Sequence, residues 1–153
     1  MAVVNLQALE KLKSYCAYQE RSHQEVRTKL LSLEVYGDEL EEIIGALIEE
    51  NFLNEERYAA AIVRGKFRHK QWGRIKIKQA SKFQKISTYC IQKAMKEIEE
   101  DEYQKTLSQL AEKKWETLHN EKNKFTKMAK LRNYLLQKGY EADLIMDTVS
   151  HLS

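Results

Sequence analysis

Residues 22–48 read SHQEVRTKLLSLEVYGDELEEIIGALI, and their spacing decides the fold class. Ser22 and Glu25 form a capping box, in which the hydroxyl and the carboxylate each satisfy a backbone donor that a helix start leaves orphaned. Leu40, Ile43, Ile44, Leu47 and Ile48 then fall at i, i+3, i+4, i+7 and i+8, one apolar stripe along a second helix. Gly37 stands between the two at a break, where a positive φ costs glycine little. The same rhythm returns in Ile91, Ala94, Met95 and Ile98, and again in Leu144, Ile145, Thr148, Val149 and Leu152. Asp38, Asn54 and Ser87 stand where each would cap a following helix, and Gly73 and Gly139 mark further breaks.

Worked outward, this pattern predicts nine helices, at about 5–19, 22–34, 38–51, 54–70, 73–84, 87–99, 101–118, 122–138 and 141–152. The chain has no Pro and only five Gly, too few turn-formers for a strand-rich protein. The helices group in threes at a period of about 50 residues, the mark of tandem helical units. The expected architecture is all-α: three-helix repeats over 5–52, 53–99 and 100–153, stacked into an elongated, curved array. Repeats near 50 residues are close to the lower limit for a self-sufficient core, so neighbours are expected to pack on one another. A single irregular helical bundle with accidental spacing is the alternative, because the register between units slips.

The 153 residues carry a net charge of only +3, which hides a strong segregation. From Leu30 to Glu56 there are nine acids and no Lys or Arg, whereas from Arg57 to Lys96 there are twelve basic residues and no acid. Each block repels itself, so the basic one calls for an anionic partner. The cationic candidates are Arg64, Lys66, Arg68, Lys70, Arg74, Lys76, Lys78 and Lys82. A weaker basic run follows at 122–138, from which Lys127, Lys130 and Arg132 join the candidates. Trp72 is added because an aromatic among cations can stack on a base while its neighbours neutralise phosphates; packing between repeats is the other reading of Trp72. Phe67 shares a face with Val63 and reads as core. The acidic block is either the solvated face of its helix or a surface that turns nucleic acid away and meets basic protein.

Other classes find little support. The start MAVVNLQALEKLKSY holds no apolar run long enough for a leader, and no stretch approaches the ~18 apolar residues of a membrane span. Cys16 and Cys90 lie in helical patterns and read as buried thiols of a reducing cytosol. Two Cys and four scattered His give no zinc spacing, and no phosphate loop or nucleophile elbow is present. No catalytic residue, cofactor or metal is expected. His23 and His69 read as boundary imidazoles.

Three stretches resemble the RecX family. Residues 18–30, YQERSHQEVRTKL, are similar to that family's first repeat. Residues 40–58, LEEIIGALIEENFLNEERY, are similar to its acidic helix and the FLN-acid-acid motif that follows. Residues 65–78, GKFRHKQWGRIKIK, are similar to its basic second-repeat junction. Tyr89–Ile98 and Lys130–Val149 look like the helices closing the second and third repeats. The resemblance implies three tandem three-helix units and a cytoplasmic, monomeric regulator of the RecA recombinase. Such a protein binds RecA and its filament on single-stranded DNA, limiting filament extension, ATP hydrolysis and strand exchange. Ser81 and Lys85 depart from the pattern, standing where the family often has Leu and Gly. Ser81 should loosen the second core, with Phe83 or Ile77 compensating. A stand-alone nucleic-acid-binding helical protein and a protein–protein adaptor are the competing readings.

Overall fold

The structure, a computed structural model, describes residues 5–152. The leader reading above falls partly on residues 1–4, outside that range. The described residues form nine helices and no strand: α1 (Leu6–Tyr18), α2 (His23–Ser32), α3 (Gly37–Glu49), α4 (Glu55–Arg68), α5 (Arg74–Phe83), α6 (Thr88–Met95), α7 (Glu100–Thr117), α8 (Lys124–Gln137) and α9 (Ala142–Ser150). The chain is an all-α array of helical repeats. It divides into two compact units, the first ending at Ala61 and the second beginning at Ile62, so that the change of unit falls inside α4.

Helix starts follow the caps. The Ser22–Glu25 box is closed at 3.0 Å in both directions. Asn54 accepts from the Arg57 N–H at 3.0 Å, and Ser87 from the Cys90 N–H at 3.3 Å. Asn5 and Asn123 cap α1 and α8 in the same way, two caps that apolar spacing alone did not single out. Asp38 does not cap: Tyr36 takes the N-cap position of α3 without a side-chain bond, and Asp38 lies in the first turn. There its negative charge still faces the positive end of the helix dipole favourably.

The second helix of every repeat ends in one motif. Beyond α2, Glu34 donates to the Leu31 carbonyl and Val35 to the Leu30 carbonyl; Lys85 and Ile86 donate to Lys82 and Ser81 beyond α5; Gly139 and Tyr140 donate to Leu136 and Leu135 beyond α8. These are Schellman closures, in which the penultimate residue turns left-handed and the next folds its side chain back onto the helix. Glu34, Lys85 and Gly139 accordingly have φ of 61°, 61° and 97°. Val35, Ile86 and Tyr140 are buried above Leu30, Ser81 and Leu135. The correspondence 30/81/135 and 35/86/140 is the repeat written in hydrogen bonds. It also explains the register slip, because α2 and α5 have 10 residues each while α8 has 14, one helical turn more.

In the first unit α1, α2 and α3 pack pairwise around Leu12, Val26, Leu30, Ile43 and Leu47, all fully buried. Ile48, the last member of the expected stripe, is 47% exposed. Several acids of the acidic block hold this unit together: Glu39 accepts from Asn5, Glu41 pairs with Arg27, and Glu50 with Lys13. In the second unit the α4–α5 junction docks on the α8–α9 turn. The Gly73 N–H donates to the Lys138 carbonyl at 2.7 Å, the Ile75 N–H to the Gly139 carbonyl at 3.0 Å, and the Tyr140 hydroxyl to the Gln71 carbonyl at 2.9 Å. Gly73 is required by this contact rather than by its φ of −78°, since a Cβ there would collide with the Gly139 carbonyl. A Cβ on Gly139 would strike Lys76. Phe67, Tyr103 and Tyr140 stack beneath the junction, with centroids 5.9 and 5.1 Å apart.

Ser81 is buried at the core position that Leu30 and Leu135 fill in the other repeats, and its hydroxyl has no hydrogen-bond partner. Ile77, one turn earlier on the inward face of α5, is fully buried; Phe83 is 89% exposed and compensates for nothing. Removing an unpaired buried hydroxyl should raise stability, so Ser81→Ala is expected to gain about 1 kcal/mol in chemical denaturation. Gly73→Ala is expected to lose about 2 kcal/mol or more in the same measurement, because backbone rather than a flexible side chain must give way.

Candidate nucleic-acid interface

The second unit places Trp72 by a wider turn at the end of α4, one residue longer than the Schellman closures above. Gln71 takes φ 57°, and the Trp72 N–H returns to the Lys66 carbonyl at 3.1 Å. The residue after the left-handed one folds back toward the residue six before it. Here that brings the indole onto Lys66, whose ammonium lies 4.9 Å from the ring centroid. Lys70 reaches the same ring at 5.3 Å, and Lys76, from the first turn of α5, at 4.4 Å. Trp72 is half-buried under these three cations. None of the three has a carboxylate within ion-pair distance among the described residues.

Other predicted residues separate. Arg68, Lys78 and Lys82 are exposed, again without an ion pair among the described residues. Arg64 is exposed but pairs with Glu97 at 3.1 Å. Arg74 is turned inward. Its guanidinium lies 3.7 Å from the Tyr103 centroid and bonds Glu141 at 2.8 Å and Glu100 more closely still. Its N–H donates to the Tyr103 hydroxyl, which in turn donates to Glu141. Burial, and then that bond to Glu141, hold the Tyr103 phenol far above its ordinary range. Arg74 therefore ties α5 to α7 and α9, and its charge is answered inside the fold.

On α8, Lys127, Tyr134 and Lys138 fall at i, i+7 and i+11, within about 40° of one another around the axis. Lys127 sits 3.8 Å from the Trp115 centroid. Tyr134 is covered by Lys114 at 5.0 Å and by Lys138 at 6.0 Å. The Lys138 ammonium donates to the Lys70 carbonyl at 3.1 Å, which joins this line to the Trp72 cluster. Lys130 is held by Glu121 at 3.0 Å, and Arg132 lies elsewhere on α8, in a groove with Phe125, Met128 and Met146. The aromatic members Trp115 and Tyr134, and Lys114 beside them, escape a search for basic runs; Tyr134 alone is signalled, by its i, i+7 relation to Lys127 on α8.

Among the described residues no group of three or more His, Cys, Asp or Glu is placed to hold a metal ion, and no helix is long and apolar enough to cross a membrane. Cys16 and Cys90 are buried, and burial raises the Cys16 thiol.

Comparison with known proteins agrees with this architecture. Residues 54–95 match the family model described as RecX, second three-helix domain, and residues 100–149 the model described as RecX, third three-helix domain. The chain is 31% identical over 134 residues to the regulatory protein RecX of Clostridium perfringens, covering 87% of this chain and 62% of that one. It is 27% identical over 140 residues to the regulatory protein RecX of Bacillus mycoides, covering 91% of this chain and 51% of that one. The chain thus spans between about half and two thirds of the length of these two relatives. The crystal structure of RecX from Lactobacillus salivarius superimposes with a TM-score of 0.84 at 27% identity, over 95% of this chain and 94% of that one.

The Arg74 network gives a pH signature. The Gln104 amide and then the Arg74 guanidinium hold the Glu100 carboxyl below its ordinary value of 4.5. A depressed carboxyl contributes stability that is complete above its unfolded value and is lost as pH falls through the folded one. Arg74→Met should lower stability at neutral pH by about 2 kcal/mol. It should also flatten the loss of stability below pH 4.5, measured by denaturant titration at a series of pH values.

Proposed function

The chain belongs to the RecX family, and from that premise we propose that it is a non-enzymatic regulator of a RecA-type recombinase. In this reading it binds the recombinase filament on single-stranded DNA and restrains filament extension, ATP hydrolysis and strand exchange. One observation supports a nucleoprotein partner above others: six cations of α4, α5 and the turn between them have no ion-pair partner among the described residues. Lys66, Lys70 and Lys76 crowd a single indole instead of meeting carboxylates, and Arg68, Lys78 and Lys82 stand exposed. Like charges held this close repel one another, and an anionic strand or an acidic protein surface relieves that repulsion. Each phosphate neutralised also releases counterions, which makes such binding strongly salt-dependent.

Arg74, Arg64 and Lys130 belong less to this surface than the sequence suggested, since each already has a carboxylate partner. Among the acids of the first unit, Glu50, Glu41 and Glu39 are engaged by Lys13, Arg27 and Asn5 of the same unit.

The test adds the protein to recombinase preassembled on single-stranded DNA and follows ATP turnover and filament length. Wild type is expected to slow turnover and shorten filaments. A variant with Lys66, Arg68, Lys70, Lys76, Lys78 and Lys82 changed to Ala should lose at least about tenfold in potency while keeping its helical circular dichroism. Wild type without effect over a broad concentration range would remove the regulatory reading. Tight binding to bare DNA with no recombinase dependence would favour a stand-alone nucleic-acid-binding role.

A further inference from the structure

We infer that the second unit carries a base-stacking track for single-stranded nucleic acid, in which Trp115, Tyr134 and Trp72 are the stacking rings and their lysines the phosphate contacts. The inference deepens the reading above, because it names what the cationic surface holds, but it stands on a different observation. Along one line every ring is paired with ammonium groups. Lys127 lies on Trp115, Lys114 and Lys138 on Tyr134, and Lys66, Lys70 and Lys76 on Trp72. The Lys138–Lys70 carbonyl bond makes the line continuous.

Three features favour this occupant. First, the composition matches the two elements that sequence-tolerant strand binders combine, flat rings for bases and cations for the backbone. Second, the scale fits: from Lys127 to Lys138 the face of α8 extends about 16 Å, room for a strand of a few nucleotides. Third, the rings are half-buried rather than fully buried, so one side of each is held by the fold while another remains near solvent. Core aromatics of the same unit behave differently: Tyr103 and Tyr140 are fully buried, stack on each other, and have hydroxyls bonded within the protein.

Duplex is a poor fit, since its bases are already stacked and offer no free face. In the free protein the lysines occupy the rings as cation–π partners. An arriving strand exchanges those contacts: bases take the ring faces and the ammonium groups move to phosphates. No covalent bond is made or broken.

The test uses the full chain with a single-stranded oligonucleotide containing 5-iododeoxyuridine, irradiated at low ionic strength, with crosslinked peptides identified by mass spectrometry. Crosslinks to Trp72 and Trp115 are expected, and to Tyr134 at lower yield, all competed away by unlabelled oligodeoxythymidine and not by an abasic oligomer of equal length. Trp72→Ala and Trp115→Ala should each weaken oligonucleotide binding about tenfold, and Trp72→Phe and Trp115→Phe should largely restore it. Circular dichroism and denaturant midpoints check that each variant is folded. Crosslinks absent from all three rings, whether or not the oligomer binds, overturn the track, as does equal competition by the abasic strand. If the track fails while wild type still slows recombinase turnover, the regulatory function survives without it. If crosslinks form and turnover is untouched, the track survives and the regulatory function falls.

Discussion

Two backbone turns meet in the second unit with almost nothing between them. The α4–α5 junction, residues 70–76, lies against the α8–α9 turn, residues 138–141, and the contact is made by main-chain hydrogen bonds across facing glycines. Peptide groups can approach this closely only where side chains are absent, and the donors buried by the approach must find acceptors at once. Gly73 and Gly139 meet the first condition; the Lys138 and Gly139 carbonyls meet the second. Much else in this unit follows. Phe67, Tyr103 and Tyr140 fill the space below, Arg74 clamps α7 and α9, and Trp72 is held on the outer side under its lysines.

The dock explains why charges adjacent in sequence have different fates. Arg74 follows the glycine that is pressed against the opposing turn, so its side chain leaves toward Glu100 and Glu141. Lys66, Lys70 and Lys76 emerge around the indole instead. The basic block is thus two populations. One neutralises acids from elsewhere in the chain, Arg57 with Glu20, Arg64 with Glu97 and Arg74 with Glu100 and Glu141, and so joins helices distant in sequence. The other is left with mutual repulsion, tempered by the ring at its centre.

Much of this architecture was legible in the amino-acid sequence because helices announce themselves locally. The Ser22–Glu25 box, the Asn54 and Ser87 caps, the buried members of the Leu40–Leu47 stripe and the core position of Phe67 all depend on neighbours within a few residues. What could not be read were choices made at long range. Arg74 looked like any other cation because its acids lie 26 and 67 positions away. Phe83 looked like a core replacement for Ser81, yet it sits beyond the buried face of a short helix. Trp115 and Tyr134 drew no attention because a basic run is found by counting charges, whereas their significance comes from lysines that other helices supply. The Schellman closures fall between these cases: Gly139 advertises its own, while Glu34 and Lys85 adopt the same backbone without the residue that would signal it.

The additional turn of α8 acts as a gauge. Four residues at 1.5 Å each carry the end of that helix about 6 Å further than its counterparts in the earlier repeats would reach. That extension delivers the 138–140 turn to the junction it docks on. A helix cut to the common length would stop short of Gly73, and one prolonged by a further turn would overshoot it. The third repeat is therefore not free to drift in size as loosely joined modules do: its spacing is set by the partner turn, and insertions are better tolerated in its loops than along this one rod.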